Sequence, residues 1–474
     1  MNNPNRPGGI IIILLTAVAI LAALSFVPWG RLTGNLFKDY NLVGDLFPSQ
    51  QIVYETTVQL DPELAKLEQE IEAVEVADTT RKNSVQVTGS TNPKALTLDS
   101  IDVSFEAPRS GDVVLIEDYT ANGNGLRRLR AALSQASTRN VRIAVIGDSY
   151  IEGDIFTQDV RAALQEQYGG SGVGYMPAYC EFAGFRRSVR QSGSGWHERE
   201  IRKMRTNDYR ILAGKYFVGY NGANARFAGS KTPTHADSWD RTLVQVVSPA
   251  HGGTITLTAD DNTSTSQAIE ASGAVQTVRL DAHTTSVKLS STVDSLVVLG
   301  VYLDANTGVS VDCMSLRGNS GIGHRNLNAD IIGQMRQTVD YDLIILEFGF
   351  NALSAAQSDY TSYAKAMTSV VQAVQSCYPN AVVMLMGIGD RGHKQGGSVV
   401  SMHTCPAMVA AQRSVARVTG CLFWDTRAAQ GGDGAAIDWH RRGLVNADYI
   451  HLNHKGGTEF AKIFINSLNL SLSE

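Results

Sequence analysis

Hydrophobic positions fall into three patterns along the chain. Near the N-terminus, residues 10–27 form an apolar run of 18 positions, broken only by Thr16 and Ser25 and free of charge. That length is just enough to cross a bilayer core as a helix. From about residue 113 the pattern changes to short apolar runs alternating with helical periodicity. Residues 141–146 predict a buried strand, after which Ile155, Phe156, Val160, Ala163 and Leu164 recur at helical spacing. Further strands are predicted at 342–348, 381–388 and 421–424, and helices at 360–377, 406–418 and 458–470. Such alternation predicts a parallel sheet covered on both faces. The third pattern separates the two halves of the second. Residues 242–247, 254–258, 275–280, 287–289 and 296–303 are short runs of partial alternation punctuated by Gly, Asp, Asn, Ser and Thr. They predict an all-β sandwich, inserted into the α/β domain.

These patterns divide the chain into an N-terminal tail (1–9), a transmembrane anchor or uncleaved signal (10–29) and a linker or spacer (30–110). The first part of the α/β domain (111–182), the inserted β-sandwich (183–312) and the second part of the α/β domain (313–474) follow. Pro28, Trp29 and Arg31 end the apolar run as an interfacial flank would. A cleaved signal is the rival, but the run is longer than a usual signal core and no A-x-A-like site follows it. Arg6 before the run and Arg31 and Lys38 after it leave the orientation undecided by charge. Within the spacer, Asp61-Pro62 opens a short helix carrying Leu64, Leu67, Ile71 and Val74.

Composition narrows the partners. With 474 residues, 18% charged, and a net charge of −5, the chain has no Lys/Arg-rich run to hold a nucleic acid. Its five cysteines include no C-x-x-C pair, and its histidines show no metal-ligand spacing, so no metal is expected. Gly170, Gly172 and Gly174 lack the third-glycine spacing and the preceding strand of a dinucleotide site, so no cofactor is expected.

Chemistry concentrates where predicted strands end. Gly147-Asp148-Ser149 lies between a buried strand and a helix, where a serine hydroxyl and its own N–H reach the sheet edge. Asn351 follows another strand in Gly349-Phe350-Asn351. A glycine-flexible loop carries Gly318, and Asp448-Tyr449-Ile450-His451 precedes the last helix. An Asp and a His three apart can share one turn of chain, the carboxylate orienting the imidazole toward the serine. A second such pair, Asp390 and His393, follows a strand rather than preceding the last helix.

These four blocks, in this order, resemble the SGNH (GDSL-like) hydrolase superfamily over about 110–182 and 313–474. The resemblance implies a flavodoxin-like α/β/α three-layer domain. It makes Ser149 the nucleophile, His451 the general base and Asp448 its partner. The oxyanion hole would be the N–H of Ser149, the N–H of Gly318 and the side-chain amide of Asn351. Ala352 replaces the aspartate usual after that asparagine, and Gly172 and Gly174 are rivals to Gly318. The inserted sandwich, together with Gly431, Gly432, Gly434 and Trp439 ahead of Asp448, resembles the bacterial peptidoglycan O-acetylesterase group of envelope esterases. It implies an O-acetylated glycan as substrate, an acyl-serine intermediate and a periplasmic domain on an inner-membrane anchor, secretion being the alternative. The alternatives in function are a polysaccharide O-acetyltransferase with the same residues and a non-catalytic carbohydrate-binding envelope protein. In the insert, Trp196, Tyr216, Tyr220 and Trp239 are candidates to stack on sugars, core positions being the other reading.

Overall fold

The computed structural model describes residues 101–205 and 208–474. The expected anchor (10–29), the helix after Asp61 and most of the 30–110 spacer lie outside them. Among the described residues, no helix is long and apolar enough to cross a membrane.

Six strands form the central sheet: β1 (Glu117–Asp118), β2 (Asn140–Gly147), β3 (Gly308–Ser315), β4 (Leu343–Glu347), β5 (Val382–Met386) and β6 (Leu422–Trp424). Their order across the sheet is β3-β2-β4-β5-β6-β1. All neighbours pair parallel except β1, which closes one edge antiparallel to β6. In β4 and β5 every residue is buried, as continuous apolar runs in a parallel sheet require. Helix His454–Ser473 packs on helices Gly125–Leu133 and Thr157–Tyr168, and helices Thr361–Cys377 and Cys405–Thr419 pack on each other. The chain steps from β2 to β3 on one side, then returns to place β4 on the other side of β2. That reversal opens a crevice beyond the C-terminal ends of β2, β3 and β4, the usual ligand position in open α/β sheets.

The last helix is seated by its own first turn. Asn453 caps it, accepting from Gly456 N–H at 3.1 Å. Gly457 lies so close to Ile155 that a Cβ there would meet its carbonyl oxygen at 1.8 Å. Phe460 and Phe464 then interlock with Phe156 and Trp424 in the core.

The β-module has nine strands in one continuous hydrogen-bonded sheet. Strand Lys215–Gly229 pairs with Leu296–Asp304 through its first half and with Ser286–Ser291 through its second. Beside it, strand Val189–Glu200 is interrupted between Ser194 and Trp196, where Gly195 has φ +83°. The two halves close on one core containing Phe217, Phe227, Trp239, Val246, Leu257 and Leu289. The arrangement is one folded-over sheet rather than two separate ones. The edges of the expected insert, 183 and 312, also move. Strand Gly174–Met176 pairs with Leu296–Asp304 of the module, while Gly308–Ser315 is β3 of the central sheet.

Strand β3 escaped the apolar pattern because it carries buried polar residues, Ser310 and Asp312. Asn140 of β2 donates to Ser310 Oγ at 2.8 Å, and Arg142 of the same strand explains Asp312. The Arg142 guanidinium pairs with Asp312 at 2.8 Å and with Asp304 at the end of a module strand, and Tyr341 donates to Asp312 at 2.8 Å. This network joins the central sheet to the β-module, and all its charges are paired, as burial demands.

Candidate active site

The turn after β2 is held from both sides. Asp148 accepts from the N–H of Tyr150 at 2.8 Å, and the N–H of Glu152 bonds the carbonyl of Ser149 at 3.3 Å. Tyr150 is buried against Phe350 and Phe460, and its hydroxyl accepts from Gln430 at 2.7 Å. Ser149 is left half-buried between two buried neighbours. Two residues past Glu152, Asp154 pairs with Arg161 at 2.7 Å and Arg186 at 3.0 Å, tying this turn to the entry of the β-module.

Ser149, His451 and Asp448 come together although they lie on distant segments. Ser149 Oγ lies 2.8 Å from His451 Nε2, and His451 Nδ1 lies 2.7 Å from Asp448 Oδ2. An ionised Asp448 accepts the proton on Nδ1, which leaves Nε2 as the acceptor for the serine O–H. Asp448 Oδ1 accepts from the N–H groups of Ile450 and His451, both at 3.0 Å. Burial pushes the Asp448 carboxyl up, but the hydrogen bond and charge of His451 and these two N–H groups outweigh it, and its pKa lies below the ordinary value. The strand-turn segment at Gly392 braces this loop, donating its N–H to the Tyr449 carbonyl at 3.0 Å.

The Asp390–His393 pair does not form. Asp390 accepts from Ser401 Oγ at 2.6 Å and from Ala436 N–H at 3.0 Å, while His393 sits in the hairpin Gly392–Gln395 and Ser398–Ser401. Gly172 and Gly174 are likewise structural. A Cβ on Gly172 would strike the Leu303 carbonyl at 2.2 Å, and one on Gly174 would strike Asp312 at 2.3 Å.

Gly318 stands three residues past the end of β3, whose Ser315 is in register with Gly147 of β2. Its φ of +71° suits glycine, and its carbonyl accepts from Arg202 at 3.2 Å. Asn351 lies in the turn after β4, 9% exposed. Its amide nitrogen donates to Asp148 Oδ2 at 2.7 Å and to the Asn319 carbonyl at 3.2 Å. The amide therefore ties the Asp148 turn to the Gly318 loop, and to meet an oxyanion it must share one of these hydrogens.

Two acidic residues were overlooked in the sequence. Asp148 read as a turn residue and Glu347 as part of an apolar strand, yet both are buried side by side at this edge. Burial raises both carboxyls, Glu347 the more strongly, and Asp148 pushes it further. The available signal was a carboxylate ending each of two adjacent strands. Phe182 was also missed. It is 55% exposed, and the Arg317 guanidinium lies 5.6 Å from its ring centre. Arg317 in turn pairs with Glu152 of the Ser149 turn. Of the four aromatics expected to stack on sugars, Trp196, Tyr216 and Trp239 are core residues, and only Tyr220 is exposed. The indole N–H groups of Trp196 and Trp239 bond Asn224 O and Thr242 Oγ1, as buried indoles require.

Residues 292–457 match the GDSL-like Lipase/Acylhydrolase family, a span that begins after most of the β-module and holds Gly318, Asn351, Asp448 and His451. The fold matches the structure of a peptidoglycan O-acetylesterase with a TM-score of 0.62 at 22% identity, over 76% of this chain and 99% of that one. A family two carbohydrate esterase from Cellvibrio japonicus aligns at a TM-score of 0.26 and 10% identity, over 60% of this chain and 98% of that one. No curated protein matches the chain. The likeness to GDSL-like acylhydrolases is carried by residues 292–457, and the match to the solved structure, at 22% identity, shows a shared fold.

Proposed function

We propose that the protein is an SGNH-type esterase, a hydrolase of carboxylic esters, that removes O-acetyl groups from an envelope or extracellular glycan, peptidoglycan or another polysaccharide, through an acetyl-serine intermediate. The observation that carries the mechanism is the hydrogen-bonded line Ser149–His451–Asp448 at the C-terminal edge of the sheet. Ser149 attacks the acetyl carbon while His451 takes its proton at Nε2; the same imidazolium then protonates the departing sugar oxygen. Water, deprotonated by His451, attacks the acetyl-serine and releases acetate. Asp448 stabilises the imidazolium formed at each stage. The Ser149 and Gly318 N–H groups and the Asn351 amide receive the developing oxyanion.

The fold shared with a peptidoglycan O-acetylesterase supports a glycan substrate. Phe182, exposed beside Arg317 and one ion pair from the Ser149 turn, offers a flat face for a sugar ring. The β-module is proposed to position the glycan rather than to do chemistry, since all the residues above lie outside it. Residues 10–29 would hold the enzyme at the bacterial inner membrane with its catalytic domain in the periplasm, secretion after cleavage being the alternative.

The test is acetate release from O-acetylated peptidoglycan and from an O-acetylated plant polysaccharide. The reading predicts stoichiometric free acetate from one of them, lost in Ser149→Ala. Acetyl groups moved to a second sugar without free acetate would make the protein a transferase. Cleavage of simple esters with neither polymer touched would remove the glycan from the account.

A further inference from the structure

Adjacent strands β2 and β4 end in register, Gly147 opposite Glu347, and so deliver Asp148 and Glu347 to one buried place behind Ser149. Asp148 is 0% exposed and Glu347 1%. A Cβ on Gly147 would sit 2.8 Å from Glu347 Oε2, so only glycine admits the carboxyl this close to the nucleophile turn.

The two carboxyls are treated very differently. Asp148 receives the Tyr150 N–H at 2.8 Å and the Asn351 amide at 2.7 Å, both of which favour its charged form. Among the described residues no side-chain donor and no cation reaches the Glu347 carboxyl; only the backbone N–H of Asp148 approaches it, and burial outweighs that contact. The titratable groups around the pair are Tyr150, Glu152 and His451 on the side of the nucleophile and Tyr363 from helix Thr361–Cys377. Gln412, from the helix packed beside it, spends its amide on the Phe348 carbonyl. Two anions cannot share such a site, and the one with the weaker donors keeps its proton.

We infer that Glu347 is a positioning residue that works as a neutral acid, leaving Asp148 as the single buried anion that holds the Asn351 amide and faces the His451 imidazole. Ionising Glu347 would set a second anion beside Asp148. Asp148 would then take up a proton or shift, and its hold on Asn351 would weaken. Burial first, and then the neighbouring Asp148, raises the Glu347 pKa well above the ordinary carboxylate range. Because the raised group is neutral at low pH, the arrangement is intact there and is lost as pH rises through the Glu347 pKa.

The inference rests on the Ser149–His451–Asp448 reading, so the experiment has one arm independent of turnover. Infrared difference spectra between Ser149→Ala and Ser149→Ala/Glu347→Gln should show loss of one protonated-carboxyl C=O stretch at neutral pH. Loss of an ionised-carboxylate band instead would overturn the inference. In the active enzyme, kcat for a small acetyl ester should fall on the alkaline side with KM steady. Glu347→Gln fixes the neutral state, so it should flatten that limb while lowering kcat at the optimum by less than about tenfold. Asp148→Asn removes the neighbouring anion and should move the alkaline limb to lower pH, since Glu347 then ionises more easily. A Glu347→Gln enzyme whose kcat is depressed equally at every pH would mean that an ionised Glu347 is what the site needs. Activity surviving in Ser149→Ala would instead strike at the underlying reading and leave the infrared result standing.

Discussion

Asp448→Asn should abolish most of the activity whichever way the new amide turns. Asp448 uses both oxygens: Oδ2 takes His451 Nδ1 at 2.7 Å, and Oδ1 takes two backbone N–H groups at 3.0 Å. If the asparagine keeps its oxygen toward the backbone, its NH₂ faces Nδ1. The imidazole must then carry its proton on Nε2, where it can no longer accept from Ser149. If the amide flips, its oxygen serves Nδ1 but its NH₂ confronts two N–H donors, and no anion remains to stabilise the imidazolium. Either state costs the transition state about 4–5.5 kcal/mol, a fall of about 10³–10⁴ in kcat. The KM for a small acetyl ester should change little, because the lost interaction belongs to the transition state. Stopped-flow hydrolysis of a chromogenic acetate ester measures this, with circular dichroism to confirm that the variant is folded. A folded variant within tenfold of the parent kcat would refute the role of Asp448.

Other substitutions probe the rest of the site. Ser149→Ala and His451→Ala should each lower kcat by about 10³–10⁶, because nucleophile and base act as one unit. His393→Ala, in the hairpin that braces the Tyr449 turn but outside the Ser149–His451–Asp448 line, should stay close to the parent enzyme; the reverse order in an esterase assay would exchange the two Asp-x-x-His pairs. Asn351→Ala should cost about 10²–10³ in kcat with KM nearly constant; a pure KM effect would reassign its amide to substrate binding. Phe182→Ala should reduce acetate release from an acetylated polysaccharide while sparing a small ester, since remote binding energy matters only to the polymer. Equal losses on both substrates would make Phe182 part of the active-site wall.

The strands of the α/β domain were legible where burial is purely apolar. Residues 342–348 and 381–388 predicted strands that the structure places at Leu343–Glu347 and Val382–Met386. Strand β3 was not legible, because Asp312 is tolerated there through Arg142, Tyr341 and the N–H of Tyr175, from three other segments. The long strands Val189–Glu200 and Lys215–Gly229 were missed for a related reason. Glycines and exposed polar residues interrupt both strands, and the buried face of the second is carried partly by small residues, Ala223 and Ala225, which give a weak apolar signal. The meeting of Ser149, His451 and Asp448 followed from motif order, since each sits at a fixed place relative to a strand end or the last helix. The pairing of Asp148 with Glu347 depends on the register between two strands nearly 200 residues apart, which no local pattern encodes. For the insert's aromatics, residue type alone could not separate core from surface. Trp239 is fully buried and Phe182, just ahead of the expected boundary at 183, is exposed.

The central claim is that acetyl passes through Ser149. Rapid quenching of the enzyme with an isotopically labelled acetyl ester, followed by mass spectrometry of its peptides, tests it most directly. The account predicts labelled acetyl on the peptide carrying Ser149, formed and lost at rates compatible with turnover and absent from Ser149→Ala. Label on a different residue, or full turnover in the Ser149→Ala enzyme, would contradict it.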